Sequence, residues 1–90
     1  MKAFPFDQRQ KLRLEYPCEW QYKLIGRDEG ILRDIIREVI QERTCSVTVS
    51  NWSRTGKYVC VNLELIVLNE GDRTDIFEAL REHPAVKMVL

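Results

Sequence analysis

The sequence predicts an α+β sandwich in which two helices cover one face of a four-stranded antiparallel sheet. Four segments alternate apolar and polar residues with the period of a strand, and two segments repeat apolar residues with the period of a helix. Their order along the chain is strand, helix, strand, strand, helix, strand. That order is the split βαβ arrangement of the ferredoxin-like fold, with the first and third strands expected in the centre of the sheet.

Alternation is clearest in VCVNLELIV, the segment from Val59 to Val67. A strand with this two-residue period has one buried face, so its valines and leucines are expected to lie under the helices. Gly56, before this segment, can take the positive φ of a hairpin turn, so the second and third strands should form a hairpin. The residues expected to face the helices are Cys18, Trp20, Tyr22 and Leu24 in the first strand, Cys45, Val47 and Val49 in the second, Val59, Val61, Leu63, Leu65 and Val67 in the third, and Val86, Met88 and Leu90 in the last.

Helical periodicity appears in two places. Apolar residues recur at one-, three- and four-residue steps from Ile31 to Ile40, and Asp28 precedes them where an acid favours a helix N-terminus. A second, shorter helix is expected to begin with Asp72 or Thr74 as its cap. It should stop before Pro84, because the residue that precedes a proline is disfavoured in a helix. Its apolar stripe is Ile76, Phe77 and Leu80.

The composition is that of a globular protein. The chain has 90 residues, 44% of them hydrophobic, and a net charge of zero, which gives no global attraction to nucleic acid or to an anionic membrane. No apolar run approaches the roughly 20 residues of a membrane span, and the N-terminus lacks the apolar core of a signal peptide. The three cysteines are odd in number, which fits a reducing compartment, and we predict a cytoplasmic protein.

Charge and periodicity divide the chain into two regions. Residues 1–15 carry four basic side chains and one early acid, Asp7, with little apolar periodicity. We interpret them as a flexible basic lead. Residues 16–90 hold all the predicted strands and helices and are expected to form the single ferredoxin-like domain.

The face of the sheet away from the helices is predicted to be open to solvent and polar. Lys23 and Lys87 are expected to lie near Glu64 across neighbouring strands, as a solvated cluster of opposite charges. Cys60 is the one thiol expected on this face. The residues that alternation assigns to it are Gln21, Lys23, Tyr58, Cys60, Asn62, Glu64 and Lys87.

Three segments, taken together, resemble a known family. They are YPCEWQYKLIG at 16–26, SRTGKYVCVNL at 53–63 and HPAVKMVL at 83–90. In order and spacing they are similar to the YbeD-like family of small bacterial proteins of unknown function, whose members share a Phe/Tyr-Pro opening, a Gly-x-Tyr hairpin and an ending close to Val-x-Met-Val-Leu. The resemblance implies a ferredoxin-like fold akin to ACT regulatory domains and no established reaction. Some members carry the label lipoate regulatory protein.

The ACT comparison implies an alternative function, a sensor of a small carboxylated metabolite. ACT domains commonly have Asp-Arg-Pro-Gly and two aliphatic residues in their first loop, where they bind amino acids; RDEGIL at 27–32 keeps the glycine and the aliphatics but lacks the proline. Glycines let a backbone approach a ligand, and free helix amides can meet a carboxylate. The same glycines can equally make a short connection. The residues of this candidate site are Gly26, Arg27, Asp28, Gly30 and Ile31.

The sequence offers no catalytic or metal-binding constellation. Nucleophilic catalysis would need a Cys or Ser beside a His, and the only histidine, His83, is expected at an exposed helix end. The cysteines have none of the ligand spacings of a zinc site, and Cys18 and Cys45 are expected to be small core residues. We therefore expect neither an enzyme nor a bound cofactor or metal.

Nucleic-acid binding is a further alternative, because the RNA-recognition motif has this topology and stacks bases on aromatic residues of its central strands. Tyr58 is in such a position, but Cys60 stands where a second aromatic residue would be needed. Arg43, Arg54 and Lys57 would form a small basic patch near the hairpin. The net charge of zero does not favour RNA or DNA as a partner.

Trp52 falls on the polar side of the second strand's alternation, near a sheet edge, where a large aromatic residue either covers the sheet or joins a contact surface. The function we predict is that of a small regulatory or adaptor domain that contacts an unidentified protein partner or a second copy of itself. The predicted contact residues are Lys23, Trp52, Arg54, Tyr58, Cys60, Asn62, Glu64 and Lys87.

Overall fold

The structure, a computed structural model, describes residues 15–90 of the chain. Six elements follow one another in the predicted order. They are β1 (Cys18–Gly26), α1 (Glu29–Ile40), β2 (Cys45–Trp52), β3 (Val59–Val67), α2 (Glu70–Arg81) and β4 (Val86–Val89). Apart from Glu15, the predicted basic lead lies outside the described residues.

The four strands form one antiparallel sheet in the order β2-β3-β1-β4. The central strands β1 and β3 pair along their whole length, from Cys18 opposite Val67 to Gly26 opposite Val59. β2 and β3 form the predicted hairpin, in which Gly56 has a φ of 76°. The ferredoxin-like prediction is therefore confirmed, including the central position of the first and third strands.

The two helices bury apolar stripes against one face of this sheet. On β3, every second residue from Val59 to Val67 is at most 6% exposed, as the alternation predicts. Tyr22 and Leu24 of β1 are buried beside them, and Trp20 packs at the margin of the core. Removing this apolar surface from water stabilises the fold by about 25 cal/mol per Å². The buried helix residues are Leu32, Ile35, Ile36, Ile40, Ile76 and Leu80.

Each helix begins at a side-chain cap. Asp28 precedes α1, as predicted, and its Oδ1 accepts a hydrogen bond from the amide of Ile31 at 3.0 Å. α2 begins earlier than predicted, because the Asn69 side chain caps it by accepting from the amide of Asp72 at 2.7 Å. The prediction of Asp72 or Thr74 as the cap is therefore wrong. Asp72 lies inside the first turn, where its carboxylate is available for other contacts.

The last strand departs from the predicted alternation. Its register on β1 shifts by a bulge in which Lys87 is the extra residue. Beyond the bulge Val89 is buried, whereas Met88 and Leu90 are 50% and 63% exposed. The prediction that these two residues face the helices is wrong, while that for Val86 is confirmed. Met88 and Leu90 pair with outward-facing residues of β1 and lie on the open face of the sheet.

β2, at the other edge, is the least buried strand. A bulge after Val49 shifts its register, so Trp52 lies opposite the buried Val59 and on the helix side, instead of the predicted polar side. The Trp52 side chain is half exposed. Cys45 is exposed because an edge strand has a neighbour on one side only, so the prediction of a core thiol is wrong there. Cys18 is half-buried against the core.

Candidate functional site

The centre of the open sheet face is polar and its side chains bond to one another. Gln21 lies opposite Glu64, and Lys23 lies opposite Asn62. Gln21 Nε2 donates to Glu64 Oε2 at 2.7 Å, and Lys23 Nζ donates to Asn62 Oδ1 at 3.4 Å. The predicted clustering of Lys23 and Lys87 around Glu64 is wrong, because the register gives Lys23 a neutral partner and the bulge carries Lys87 to another part of the face.

An apolar row crosses the same face closer to its other end. Ile25 lies opposite Cys60 on one side and opposite Met88 on the other, so these three residues form the apolar row. Ile25 and Cys60 are half-buried, and Met88 is half exposed. The position of Cys60 agrees with the alternation. Sequence reasoning missed the row because a bulge, which composition does not reveal, changes which residues of β4 face outward.

Beyond the apolar row lies a group of four residues, the basic corner, formed by Arg27, Lys57, Tyr58 and Lys87. The Arg27 guanidinium carbon is 5.9 Å from the centroid of the Tyr58 ring. This guanidinium lowers the pKa of Tyr58 below its usual value of 10.0, and the charges of Lys87 and Lys57 add to the effect. No carboxylate of residues 15–90 forms an ion pair with any of the three cations.

The opposite end of the sheet holds a bidentate ion pair between Arg43 and Asp72. The Arg43 guanidinium donates to both carboxylate oxygens of Asp72 at 2.9 Å and to a main-chain carbonyl of β3 at 2.9 Å. Asp72 also accepts from the amide of Leu68 at 2.9 Å. The hydrogen bonds from Arg43 hold the pKa of Asp72 below its usual value. The predicted basic patch of Arg43 with Arg54 and Lys57 is wrong, since Arg43 lies at the other end of the sheet.

A groove of about 800 Å³ lies beside this ion pair, with Trp20, Cys45 and Leu68 among its lining residues. The guanidinium carbon of Arg73 lies 4.7 Å from the centroid of the Trp20 ring, and its Nε donates to the Tyr16 hydroxyl at 3.0 Å. No sequence motif marks the groove, because separate strands and loops bring its residues together. Trp20 and Arg43, the aromatic and the cationic residue of the lining, are already in contact with Arg73 and Asp72, so both serve the fold.

In the loop predicted to bind a metabolite, Gly26 and Asp28 have structural roles. A Cβ on Gly26 would lie 2.7 Å from the Ala85 carbonyl oxygen, so the close approach of two backbones requires glycine. Asp28 accepts a hydrogen bond from the amide of Ile31, and its carboxylate places a negative charge at the helix N-terminus, where a carboxylate ligand would have to bind. Gly30 lies exposed in the first turn. Metabolite binding stays a prediction, tested by titrating amino acids and lipoate against the amide signals of this loop.

The remaining predicted site residues lie apart from the open face. Arg54 is exposed in the hairpin turn, and Trp52 is on the helix side. His83 is half-buried, instead of exposed, with its Nε2 3.7 Å from Glu38 Oε1. Within residues 15–90, no group of three or more His, Cys, Asp or Glu side chains could hold a metal ion. Neither described helix is long and apolar enough to cross a membrane.

The fold places the chain in a structural class. The ACT domain from the GTP pyrophosphokinase of Chlorobium tepidum matches it with a TM-score of 0.58 at 20% sequence identity, over 80% of this chain and 94% of that domain. At this identity the likeness concerns the fold alone. The protein is an ACT-like, ferredoxin-like α+β domain.

Sequence comparison gives the family. Residues 11–90 match the model of DUF493, described as a protein of unknown function, and the chain belongs to this family. A UPF0250 protein of Pseudomonas entomophila is 34% identical over an 82-residue alignment that covers 87% of this chain and 90% of that protein. An uncharacterized protein of Campylobacter jejuni is 32% identical over 75 residues, 83% and 86% of the two chains.

A solved structure extends the same result. The solution structure of a Helicobacter pylori protein matches with a TM-score of 0.77 at 25% identity, over 100% of this chain and 98% of that one. The resemblance to small bacterial proteins of unknown function is thereby confirmed. The names of these three relatives state no reaction.

Proposed function

We propose that the protein is a small, non-enzymatic regulatory or adaptor domain that binds a protein partner through the open face of its sheet. One observation carries this proposal: Ile66, Met88 and Leu90 are 47%, 50% and 63% exposed on a face that no described element covers. A half-solvated antiparallel sheet ordinarily alternates apolar residues inward with polar residues outward. Large apolar side chains on the outward face are a feature of contact surfaces.

The rest of the face has the composition of an interface. Its centre carries neutral hydrogen-bonding groups, such as Gln21 and Asn62, beside the paired Glu64. Met, Tyr and Arg are enriched at protein interfaces, and the end of the face near Met88 holds Tyr58 as well as an arginine. The groove that Gln21, Glu64 and Ile66 help to line is one part of this face, and the exposed Met88 and Leu90 extend the face across β4. An extended surface of apolar and neutral polar side chains is typical of contact with a protein partner.

The non-enzymatic part of the proposal rests on how the polar groups of this face are used. Glu64, the carboxylate at its centre, accepts a hydrogen bond from Gln21 and has no histidine beside it. The chain's only histidine, His83, follows α2 and lies next to Glu38 of α1. Neither residue has a Cys or Ser nucleophile among its described side-chain partners, so these residues do not form a nucleophile and its base.

The test is photo-crosslinking in living cells from two positions of the open face. A photoreactive phenylalanine analogue replaces Ile66 in one variant and Asn62 in another; a third variant carries it at Arg37, which is exposed on the outer side of α1. Both open-face positions should give the same adduct, identified by mass spectrometry, while position 37 should not. An adduct between two copies would identify a self-associating domain. Absence of adducts, or identical adducts from all three positions, would refute the proposal.

A further inference from the structure

The basic corner differs from the four arginine ion pairs of the described chain. Arg33, Arg37 and Arg81 each pair with an acid on their own helix, and Arg43 pairs with Asp72 across elements. At the corner, Arg27 lies over the Tyr58 ring, Lys57 precedes Tyr58 in the chain, and Lys87 lies in the bulge opposite Ile25 and Gly26. None of these three cations forms an ion pair with a carboxylate of residues 15–90. Like charges held close together repel one another. An anion that binds among them therefore has a more favourable electrostatic free energy of binding than it would have at a single lysine.

An apolar surface adjoins these cations. Met88 follows Lys87 in the chain, and Ile25 precedes the buried Gly26 that leads to Arg27. The apolar row of Ile25, Cys60 and Met88 therefore borders the basic corner on the same face. An apolar patch beside a polar, charged rim is the usual arrangement of a protein-binding surface.

We propose that the basic corner and the apolar row together bind an acidic segment of a partner polypeptide, with carboxylates meeting Arg27, Lys57 and Lys87 and an apolar side chain meeting Met88. This inference rests on the proposed function, and it names the partner's chemistry and the part of the face that recognises it. Arg27 is the residue best suited to orient a carboxylate, because its planar guanidinium can donate two parallel hydrogen bonds. The Tyr58 hydroxyl beside it can donate a third hydrogen bond to the same ligand.

A nucleic acid fits the corner less well than an acidic polypeptide. Base stacking needs an open aromatic face, and Arg27 lies near one face of the half-buried Tyr58 ring. The neighbouring position on β3 is Cys60, and the nearby outward side chains, Ile25 and Met88, cannot stack on bases. Farther along the same face, Glu64 would repel a continuing phosphate backbone.

The experiment measures fluorescence anisotropy of a fluorescein-labelled octapeptide, Glu-Asp-Leu-Glu-Asp-Leu-Glu-Asp, with the full 90-residue chain. Binding should saturate and weaken as salt is added. The double variant Arg27→Gln/Lys87→Gln should weaken it by about tenfold or more, and Met88→Ser by several-fold. The matched control is Arg37→Gln/Arg81→Gln, which removes two paired surface cations elsewhere and should leave the affinity within about twofold.

Three results would overturn the inference. The first is a peptide affinity that the corner and control variants change equally, and the second is no peptide binding at all. The third is tighter binding of a labelled eight-nucleotide single-stranded RNA that is lost in Arg27→Gln/Lys87→Gln. The crosslinking from Ile66 separates this failure from failure of the proposed function: adducts that persist in Arg27→Gln/Lys87→Gln, without peptide binding by the wild type, refute the corner alone.

Discussion

The two ends of the sheet hold their charged side chains in different ways. At one end, the Arg43 guanidinium meets both carboxylate oxygens of Asp72, and that carboxylate also accepts from a main-chain amide. At the basic corner, Arg27 lies over Tyr58, and no described carboxylate pairs with the cations. Charges that pair within the fold contribute to its stability, whereas cations without an ion-pair partner in the fold remain available to bind an anionic partner.

Different contacts hold the two ends of the sheet in place. The Arg43–Asp72 pair joins the loop after α1 to the first turn of α2, so it fixes two elements relative to each other. The basic corner is fixed by main-chain contacts instead, through Gly26 beside Ala85 and through the Ser53 amide, which donates to the Tyr58 carbonyl at 2.7 Å. Its charged side chains can therefore change without loss of the fold.

The largest effect is expected at the backbone contact under the basic corner. A Cβ on Gly26 would lie 2.7 Å from the Ala85 carbonyl oxygen and 2.9 Å from Leu32 Cδ2. Because the carbonyl belongs to the backbone and cannot move aside easily, Gly26→Ala should lower the free energy of unfolding by about 2–3 kcal/mol, measured by urea denaturation. In the control Gly30→Ala, a Cβ would meet only Asp28 Oδ1 at 3.2 Å.

The control should change the free energy of unfolding by no more than about 0.5 kcal/mol. Equal losses of unfolding free energy in the two alanine variants would mean that the close approach of the Ala85 carbonyl does not distinguish Gly26 from Gly30. The corner would then have no rigid main-chain support, and the contrast between the two ends would fail.

At the other end of the sheet, removal of one charge should cost stability. Asp72→Asn weakens the bonds from Arg43 and should lower the free energy of unfolding by about 1–2 kcal/mol at neutral pH, since charged hydrogen bonds that are partly exposed contribute about this much. Asp34→Asn is the matched control, because the side chains of Arg37 and Asp34 are 75% and 73% exposed and their pair should contribute less than about 0.5 kcal/mol. A loss as small as in the control would show that the Arg43–Asp72 pair does not hold the two elements.

The same variant predicts a difference in pH dependence. The folded-state pKa of Asp72 is held below its ordinary value of 3.8 by hydrogen bonds from Arg43. A group with a lowered folded pKa stabilises the fold above its unfolded pKa, and this contribution is lost as the pH falls through the folded pKa. Wild-type protein should therefore lose more stability than Asp72→Asn on acidification below about pH 4. Parallel curves for the two proteins would contradict the assignment of the shift to this contact.

Sequence reasoning succeeds where the pattern of side chains follows the strand period without interruption. The alternation from Val59 to Val67 places that strand correctly, and through it the central pair β1 and β3. It fails in both edge strands, because a bulge adds one residue and exchanges the two faces beyond it. Trp52, Met88 and Leu90 were misplaced for this single reason.

The candidate site was predictable only in pieces. The sequence indicated Arg27 as part of a ligand loop and assigned Tyr58 and Lys87 to an open face, but it did not join them. The loop after β1 brings them together in space, and the bulge carries Lys87 away from Glu64. The contrast between the two ends of the sheet was also not predictable, because the sequence places Arg43 beside the hairpin, whereas its ion pair with Asp72 lies at the opposite end.

Neutralising the corner should have almost no effect on folding. Arg27→Gln/Lys87→Gln removes two charges without ion-pair partners among residues 15–90, so the free energy of unfolding should change by less than about 0.5 kcal/mol, either way. Arg43→Gln, which removes a paired charge, should cost about 1–2 kcal/mol in the same denaturation experiment. A similar loss in both proteins would mean that the corner cations stabilise the fold and are not reserved for a partner.

The smallest expected change is a spectroscopic one, at the tyrosines. Burial raises the pKa of Tyr22 to about 12, whereas Arg27 and the two lysines hold that of Tyr58 below 10.0. NMR titration of the ring signals should therefore show Tyr58 ionising before Tyr22, and Arg27→Gln should move the pKa of Tyr58 upward, while Arg33→Gln should not. Carboxylates bound at the corner should shift it in the same upward direction, because they offset the positive charge. If Tyr58 ionised at or above 10.0 in the free protein, the cations would not act on its hydroxyl, and the corner would not be a charged cluster.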